Sequence, residues 1–372
     1  MSSRFTARVA IIACAIARRL AGGKRRAPAR PKRILVAHHL LLGDTLMLTP
    51  TLAKLRRQFP DADIAMAMPE AFTPLYARRP YGARPLGWNP RNPDSVVRLL
   101  REPAFDLALI PGDNRHSWLA QAMGARWIVA FAGDRPGYKS WPVDELRSYS
   151  STSSTWFDMT AMLVDGEPPL VYRTVDWSAP DAAPFARPDG PYAVLHVGAS
   201  SSLKLWPPER WRTVAALLRA RGHRIAWSGG RGEEALVAAC APESDDVVTA
   251  GRLDLAQLWH LVSDARVLLC PDTGIAHLGR IVGTPTIALF GPGSALLAGP
   301  GSFWRDSPYR ALSVVPFPCR DQHVLFKREI PWVQICKRSS AECASPRCMH
   351  ALEVAAVMSA SQTLLDASRA DV

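Results

Sequence analysis

Four short segments of this chain gather residue types that can do chemistry. They read LLLGDT (Leu40 to Thr45), HVGASSSLKLWP (His196 to Pro207), SGGRGEE (Ser228 to Glu234) and CPDTGIAHL (Cys270 to Leu278). In the second, Gly198, Ala199, Ser200, Ser201 and Ser202 are small enough to let amides and hydroxyls approach phosphate oxygens, and Lys204 adds a point charge. The plainer reading of Lys204 is a surface lysine beside a helix start, while Trp206 reads as a packing anchor. In the fourth, Asp272-Thr273-Gly274 leads from a strand into a helix. The amides of Thr273, Gly274 and Ile275 then lack helical partners and suit a pyrophosphate. Asp272 also suits a helix N-cap, and His277, on the first helical turn, reads either as a phosphate contact or as a packing histidine. Asp44 follows Gly43 at a helix start. Its carboxylate is either a general base for a hydroxyl proton or an acid that only complements the helix dipole. Glu233 and Glu234 read as helix-start acids, solvated or touching a nucleoside. His38 and His39 are adjacent on a strand and point to opposite faces, so one metal site does not take both.

The elements that must position these segments follow from hydrophobic spacing. Arg33 to His38 is a short aliphatic strand, and Asp44 to Phe59 recurs at helical spacing. Strands are expected over 62–68, 105–110 and 127–131, with helices over 95–101 and 116–123. The stretch 177–191 (WSAPDAAPFARPDGP) has four prolines and no periodic face, and reads as a linker. Alternation then restarts, with strands over 192–197, 224–227, 247–249, 265–270 and 284–290 and helices over 208–221, 232–240, 253–262 and 275–282. This predicts an α/β chain of two open parallel sheets facing one another across a cleft, with ligands at the carboxyl ends of the strands. The expected divisions are a basic extension over 1–32, a first, acceptor-side Rossmann-like domain over 33–176, the linker, a second such domain over 192–350 that binds the nucleotide-sugar, and a C-terminal helix over 351–372.

Composition narrows the function classes. A chain of 372 residues with 48% hydrophobic and 21% charged residues is long enough for two cores and fits neither disorder nor a multi-span membrane protein. The net charge of +12 is concentrated. Met1 to Arg33 holds ten Lys or Arg and no acid, leaving 35 basic and 33 acidic residues in the rest of the chain. A folded surface with a balance of +2 argues against nucleic acid as a partner. The apolar run Val9 to Ala17 is too short to span a bilayer. It reads as a cationic helix on an anionic membrane surface with Ile11, Ile12 and Ile16 in lipid, as a disordered basic extension, or as a signal peptide made awkward by Arg18 and Arg19. The late cysteines Cys319, Cys336, Cys343 and Cys348 match no zinc-ribbon spacing and read as thiols ordering a loop.

Taken in order, these segments resemble glycosyltransferase family 9, which contains the lipopolysaccharide heptosyltransferases. The resemblance rests on Gly43-Asp44 before an aliphatic-Thr-Pro-aliphatic helix, the Gly-Ala-Ser-Ser loop with Lys204-x-Trp206-Pro207, the Gly229-Gly230 turn before acids, and Asp272-Thr273-Gly274-x-x-His277 before Gly283-Thr284-Pro285. Cys348-Met349 adds to it. It implies a GT-B fold and an inverting glycosyltransferase that moves a heptose, or a related sugar, from a nucleotide-diphosphate donor, ADP-linked by expectation, to a lipopolysaccharide core or glycolipid. By resemblance, Asp44 is the catalytic base. Gly43, Ser200, Ser201, Lys204, Asp272, Thr273, Gly274 and His277 then meet the donor, with Asp272 accepting from donor-sugar hydroxyls. Lys204 would offset charge growing on the departing diphosphate, so no metal and no cofactor are implied. The implied setting is the inner face of the cytoplasmic membrane. Family members carry polar or basic residues ahead of the Gly-Asp pair, where this chain has His38-His39-Leu40-Leu41-Leu42. The alternatives are a GT-B transferase with another donor sugar, or a non-catalytic nucleotide-binding membrane partner of the same fold.

Overall fold

The computed structural model describes Ser3–Gly23 and Arg25–Ala370. Lys24 of the basic extension and Asp371 and Val372 of the expected C-terminal helix lie outside the described residues. The chain forms two compact units. In the first, the elements are α1 (Ser3–Ala21), β1 (Arg33–Ala37), α2 (Leu42–Leu46), α3 (Thr49–Gln58), β2 (Asp63–Pro69), β3 (Ala83–Trp88), α4 (Pro93–Leu100), β4 (Leu107–Ile110), α5 (His116–Ala122), β5 (Trp127–Phe131), β6 (Glu145–Arg147) and α6 (Trp156–Ala161). In the second they are β7 (Tyr192–His196), α7 (Pro208–Arg219), β8 (Arg224–Ser228), α8 (Glu234–Ala239), β9 (Val247–Val248), α9 (Leu255–Ser263), β10 (Val267–Pro271), α10 (Gly274–Val282), β11 (Thr286–Phe290) and β12 (Tyr309–Ser313). A small hairpin of β13 (Val324–Leu325) and β14 (Arg328–Glu329) follows, then α11 (Arg347–His350) and α12 (Val354–Ala370).

Both large sheets are wholly parallel. Their orders are β3-β2-β1-β4-β5-β6 and β12-β11-β10-β7-β8-β9. Each has a switch point where the order reverses, at β1/β4 and at β7/β10, the place where open α/β sheets bind their ligands. Central strands are buried along their length, β1 through Ile34–Ala37 and β7 throughout, as covered parallel sheets require. The helix expected over Asp44–Phe59 is two. Pro50 lacks the N–H that a continuous helix would bond to Leu46, so it stands in the first turn of a new helix.

Two features depart from the sequence reading. The nonapeptide Val324–Trp332, expected within the second domain, belongs to the first unit. The basic extension is likewise not an appendage: α1 lies on the first unit and buries Ala7, Ile11 and Ala15 in the core with Leu119, Ala122 and Met123 of the α5 region. Ile11 therefore faces protein rather than lipid, whereas Ile12 and Ile16 remain exposed with Phe5, Val9 and Leu20. Some tail cations serve the fold as well. Arg25 bonds Asp144 at 2.6 Å through Nε and Gln121 at 3.0 Å, and Arg19 reaches Asp144 at 3.2 Å. No described helix is long and apolar enough to cross a membrane.

Candidate functional site

In the second unit, the loops leaving β7 and β10 flank the switch point, and their charged side chains meet. Lys204 Nζ lies 2.7 Å from Asp272 Oδ2 and donates to the Asp272 carbonyl oxygen at 3.0 Å. Thr273, not Asp272, is the N-cap residue of α10, with extended backbone and no side-chain bond to the helix. The carboxylate of Asp272 is thereby left for Lys204. Gly293, in the loop after β11, is where a Cβ would stand 2.3 Å from Asp272 Oδ2, so glycine there leaves room for the carboxylate in its position against Lys204. Sequence reasoning passed over Gly293, although Gly291-Pro292-Gly293 is itself a post-strand loop. Ser200 is exposed, while the half-buried Ser201 accepts from the Leu203 amide at 3.3 Å and caps the turn that carries Lys204.

His277 is the packing histidine rather than an open phosphate contact. It is buried, Nδ1 lies 3.5 Å from Arg280 Nη1, and its pKa is held well below the usual range by burial and by the charges of Arg280 and Lys204. Arg280 stacks 3.4 Å from the Tyr309 ring centroid, which keeps a fixed cation beside the neutral imidazole. Glu233 is the half-buried N-cap residue of α8. Oε2 accepts from the Gly230 amide at 2.5 Å and occupies the space a Cβ at Gly198 would need. Glu234 is exposed and accepts from the Gly232 amide at 3.1 Å. Trp206 is buried and donates to the Leu352 carbonyl, as a packing anchor does.

In the first unit, Gly43 and Asp44 are half-buried in α2, directly after the switch-point strand β1. His38 is buried, with Nδ1 accepting from the Leu40 amide at 3.3 Å. Trp88 donates to the His38 carbonyl at 3.2 Å and takes the His39 ring edge-on at 5.0 Å. Burial first, then the nearby charges of His116 and His39, holds His38 in its neutral form, and His116 is pushed down to about 4, chiefly by burial.

Beside this lies a buried ionic network that sequence reasoning missed. Lys139 Nζ stands 3.1 Å from Asp113 and 3.0 Å from Asp134, and the Asn114 amide donates to Asp134 at 2.7 Å. Arg328, from the hairpin, donates to Asn114 Oδ1 at 2.8 Å and lies 3.6 Å from Asp134. Burial alone would raise the Asp113 pKa, but bonds from Arg115 and Lys139 hold it well below the usual carboxylate range. The one sequence signal was the post-strand loop Pro111-Gly112-Asp113-Asn114 at the switch point. Tyr149 stacks on Phe131 at 4.1 Å, and burial pushes its phenol up to about 12. The Arg328 charge opposes that rise, while those of Asp134 and Asp44 add to it, which sets Asp44 within electrostatic reach of this network. The seven cysteines are free thiols, and among the described residues no group of three or more His, Cys, Asp or Glu is placed to hold a metal ion.

Comparison with known proteins places this geometry. Residues 94–307 match the model for glycosyltransferase family 9 (heptosyltransferase), a stretch that holds Lys204 and Asp272 and begins beyond Asp44. Lipopolysaccharide heptosyltransferase 1 of Pseudomonas aeruginosa is 25% identical over 286 residues, covering 70% of this chain and 79% of that protein. Lipopolysaccharide heptosyltransferase 3 of Escherichia coli is 23% identical over 314 residues, covering 75% and 89%. Among solved structures, a family 9 glycosyltransferase of Veillonella parvula superposes with a TM-score of 0.65 at 17% identity, over 92% of this chain and 99% of that one. E. coli ADP-heptose LPS heptosyltransferase II does so with a TM-score of 0.65 at 15% identity, over 91% and 99%. Two doubly wound parallel sheets, with Lys204 and Asp272 joined at a switch point inside the matched stretch, make this chain a glycosyltransferase of the GT-B fold that belongs to glycosyltransferase family 9.

Proposed function

We propose that this chain moves a heptose from ADP-heptose to a sugar of a lipopolysaccharide core or related glycolipid, with inversion and without a divalent metal, at the inner face of the cytoplasmic membrane. The relatives' names support the donor and acceptor classes. The observation that carries the reading is the Lys204–Asp272 pair beside the first turn of α10. An ammonium has three N–H donors. Asp272 fixes Lys204 through two oxygens, and the donor's diphosphate takes what remains together with the α10 amides. As the bond from the anomeric carbon to the diphosphate breaks, charge accumulates on the leaving oxygen, and a cation already in place stabilises that state more than the bound donor. On the acceptor, a hydroxyl oxygen forms the new glycosidic bond from the opposite face, and its proton passes to the Asp44 carboxylate. Membrane attachment is assigned to the outward face of α1, where exposed Phe5, Val9, Ile12, Ile16 and Leu20 lie among cations.

Calorimetric titration with ADP tests the donor half. Binding is expected with chelator present, and Lys204→Ala is expected to cost about 1.5–3 kcal/mol, the value of a charge-assisted contact. No affinity for ADP, or affinity abolished by the chelator, would overturn the reading.

A further inference from the structure

The first unit contains a cavity of about 430 Å3 that the reading above does not use. One wall is the loop after β5 with Arg135. Another is the stretch after β6, with Ser148 and Ser151. The hairpin closes it with Lys327, Arg328 and Glu329. This hairpin lies outside the stretch that matches the family model. It is held at some conformational cost. The two residues of its turn, Phe326 and Lys327, have φ of 45° and 65°, in the left-handed region where such turns favour Asn and Gly. The surroundings enforce that turn. Phe326 packs on Trp156 at 4.9 Å, Arg328 Nε donates to the Ala132 carbonyl at 2.8 Å, and Trp332 donates to the Ser150 carbonyl at 2.9 Å. Strain kept in place this way at the rim of a cavity points to a use for the rim.

The charges define what the cavity takes. Arg328 is spent on Asn114 and Asp134, but Arg135 and Lys327 are exposed and make no ion pair among the described residues. Glu329 is the single acid of the lining. Two free cations, two exposed serine hydroxyls and one acid suit a ligand that carries both hydroxyls and a negative group. The position adds the rest. The Ala132–Arg135 loop leaves β5, and Asp44 lies in α2, which follows β1, so both stand beyond the carboxyl edge of one sheet, after strands whose axes are about 10 Å apart. The cavity and Asp44 therefore share one end of one sheet.

We propose that this cavity receives a phosphate or carboxylate group of the acceptor saccharide and so sets the neighbouring sugar at Asp44, an inference that rests on the role given to Asp44 above. The test is ligand-observed binding of glucose 6-phosphate, glucuronate and glucose to the full chain, with ADP present to fill the donor loops. Either anion should bind at least tenfold more tightly than glucose, and the order of the two anions tells phosphate from carboxylate. Lys327→Gly and Arg135→Ala should each weaken the preferred anion about tenfold and leave glucose and ADP unchanged. Lys327→Gly also relieves the positive φ, so its melting temperature should not fall. Glu329→Gln should tighten the anion. Anions no tighter than glucose while ADP binds, or Lys327→Gly and Arg135→Ala without effect, would overturn the inference. An anion that depends on Lys327 in a protein that fails to bind ADP would overturn the donor reading and, with it, the acceptor role of the cavity, while leaving the anion site itself in place.

Discussion

Asp44 is proposed as the proton acceptor, yet three leucines precede it and the family match begins beyond it, so its role is the residue-scale question. Asp44→Asn preserves shape and removes basicity. Turnover should fall a hundred-fold to ten-thousand-fold while ADP affinity holds, because general base catalysis contributes about that much. Single-turnover transfer to a lipopolysaccharide acceptor measures it, and a loss of only a few-fold would move the proton elsewhere. The structure weakens the nearest substitute: His38 is buried and its Nδ1 already accepts from the Leu40 amide. Lys204 and Asp272 were legible because each lies in a loop just past an aliphatic run, and the switch point joins such loops. The Asp113, Asp134, Lys139 and Arg328 network was not, since its Asn114–Arg328 contact spans 214 positions with no local pattern. His277 sat between two readings for a similar reason. Its place on the first turn suits a ligand, whereas its burial shows only in the folded chain, where Arg280, one turn along α10, stacks on Tyr309 of β12.

At the scale of elements, periodicity found the central strands and missed β3, β6 and β12, each at a sheet edge. Edge strands carry less apolar signal and tolerate breakers, and β3 contains Pro85 and Gly87. Helix α1 shows the other limit. Its apolar residues wrap much of the circumference, so spacing announces an amphipathic helix without saying which stripe meets protein. The structure divides them, with Ala7, Ile11 and Ala15 inward and Phe5, Val9, Ile12, Ile16 and Leu20 outward. Removing the whole segment would therefore uncover core, and separate substitutions are needed. Ile11→Ala should cost about 2 kcal/mol in chemical denaturation. The pair Val9→Ser and Ile16→Ser should leave stability within about 1 kcal/mol, since both sites are exposed. It should nevertheless abolish sedimentation with phosphatidylglycerol vesicles. Unchanged sedimentation of the double variant would refute the membrane face.

For the whole molecule, the buried histidines make stability a function of pH. His38 and His116 lie in the first unit, His196 and His277 in the second, and burial depresses all four. Each is neutral in the folded chain at pH values where the unfolded chain, with a pKa near 6.5, already binds a proton. The stability they contribute is thus fully present above about pH 6.5. It is lost as pH falls, at up to about 1.4 kcal/mol per pH unit for each histidine, until the folded group also titrates. For His116 and His196 that limit is about 4. Asp113, held low by Arg115 and Lys139, stays ionised through this window and does not mask the trend. Calorimetric melting temperatures should therefore fall steadily from pH 7 to pH 4.5. His196→Asn isolates one group: an amide can keep the bond that Nδ1 makes to Ser228 Oγ at 3.1 Å but does not titrate. The variant should melt with a shallower pH slope, the difference corresponding to one proton. Equal slopes for the two proteins would mean that His196 is charged in the folded chain. A melting temperature that is flat or rises toward pH 5 would mean that the interior of both units admits the proton.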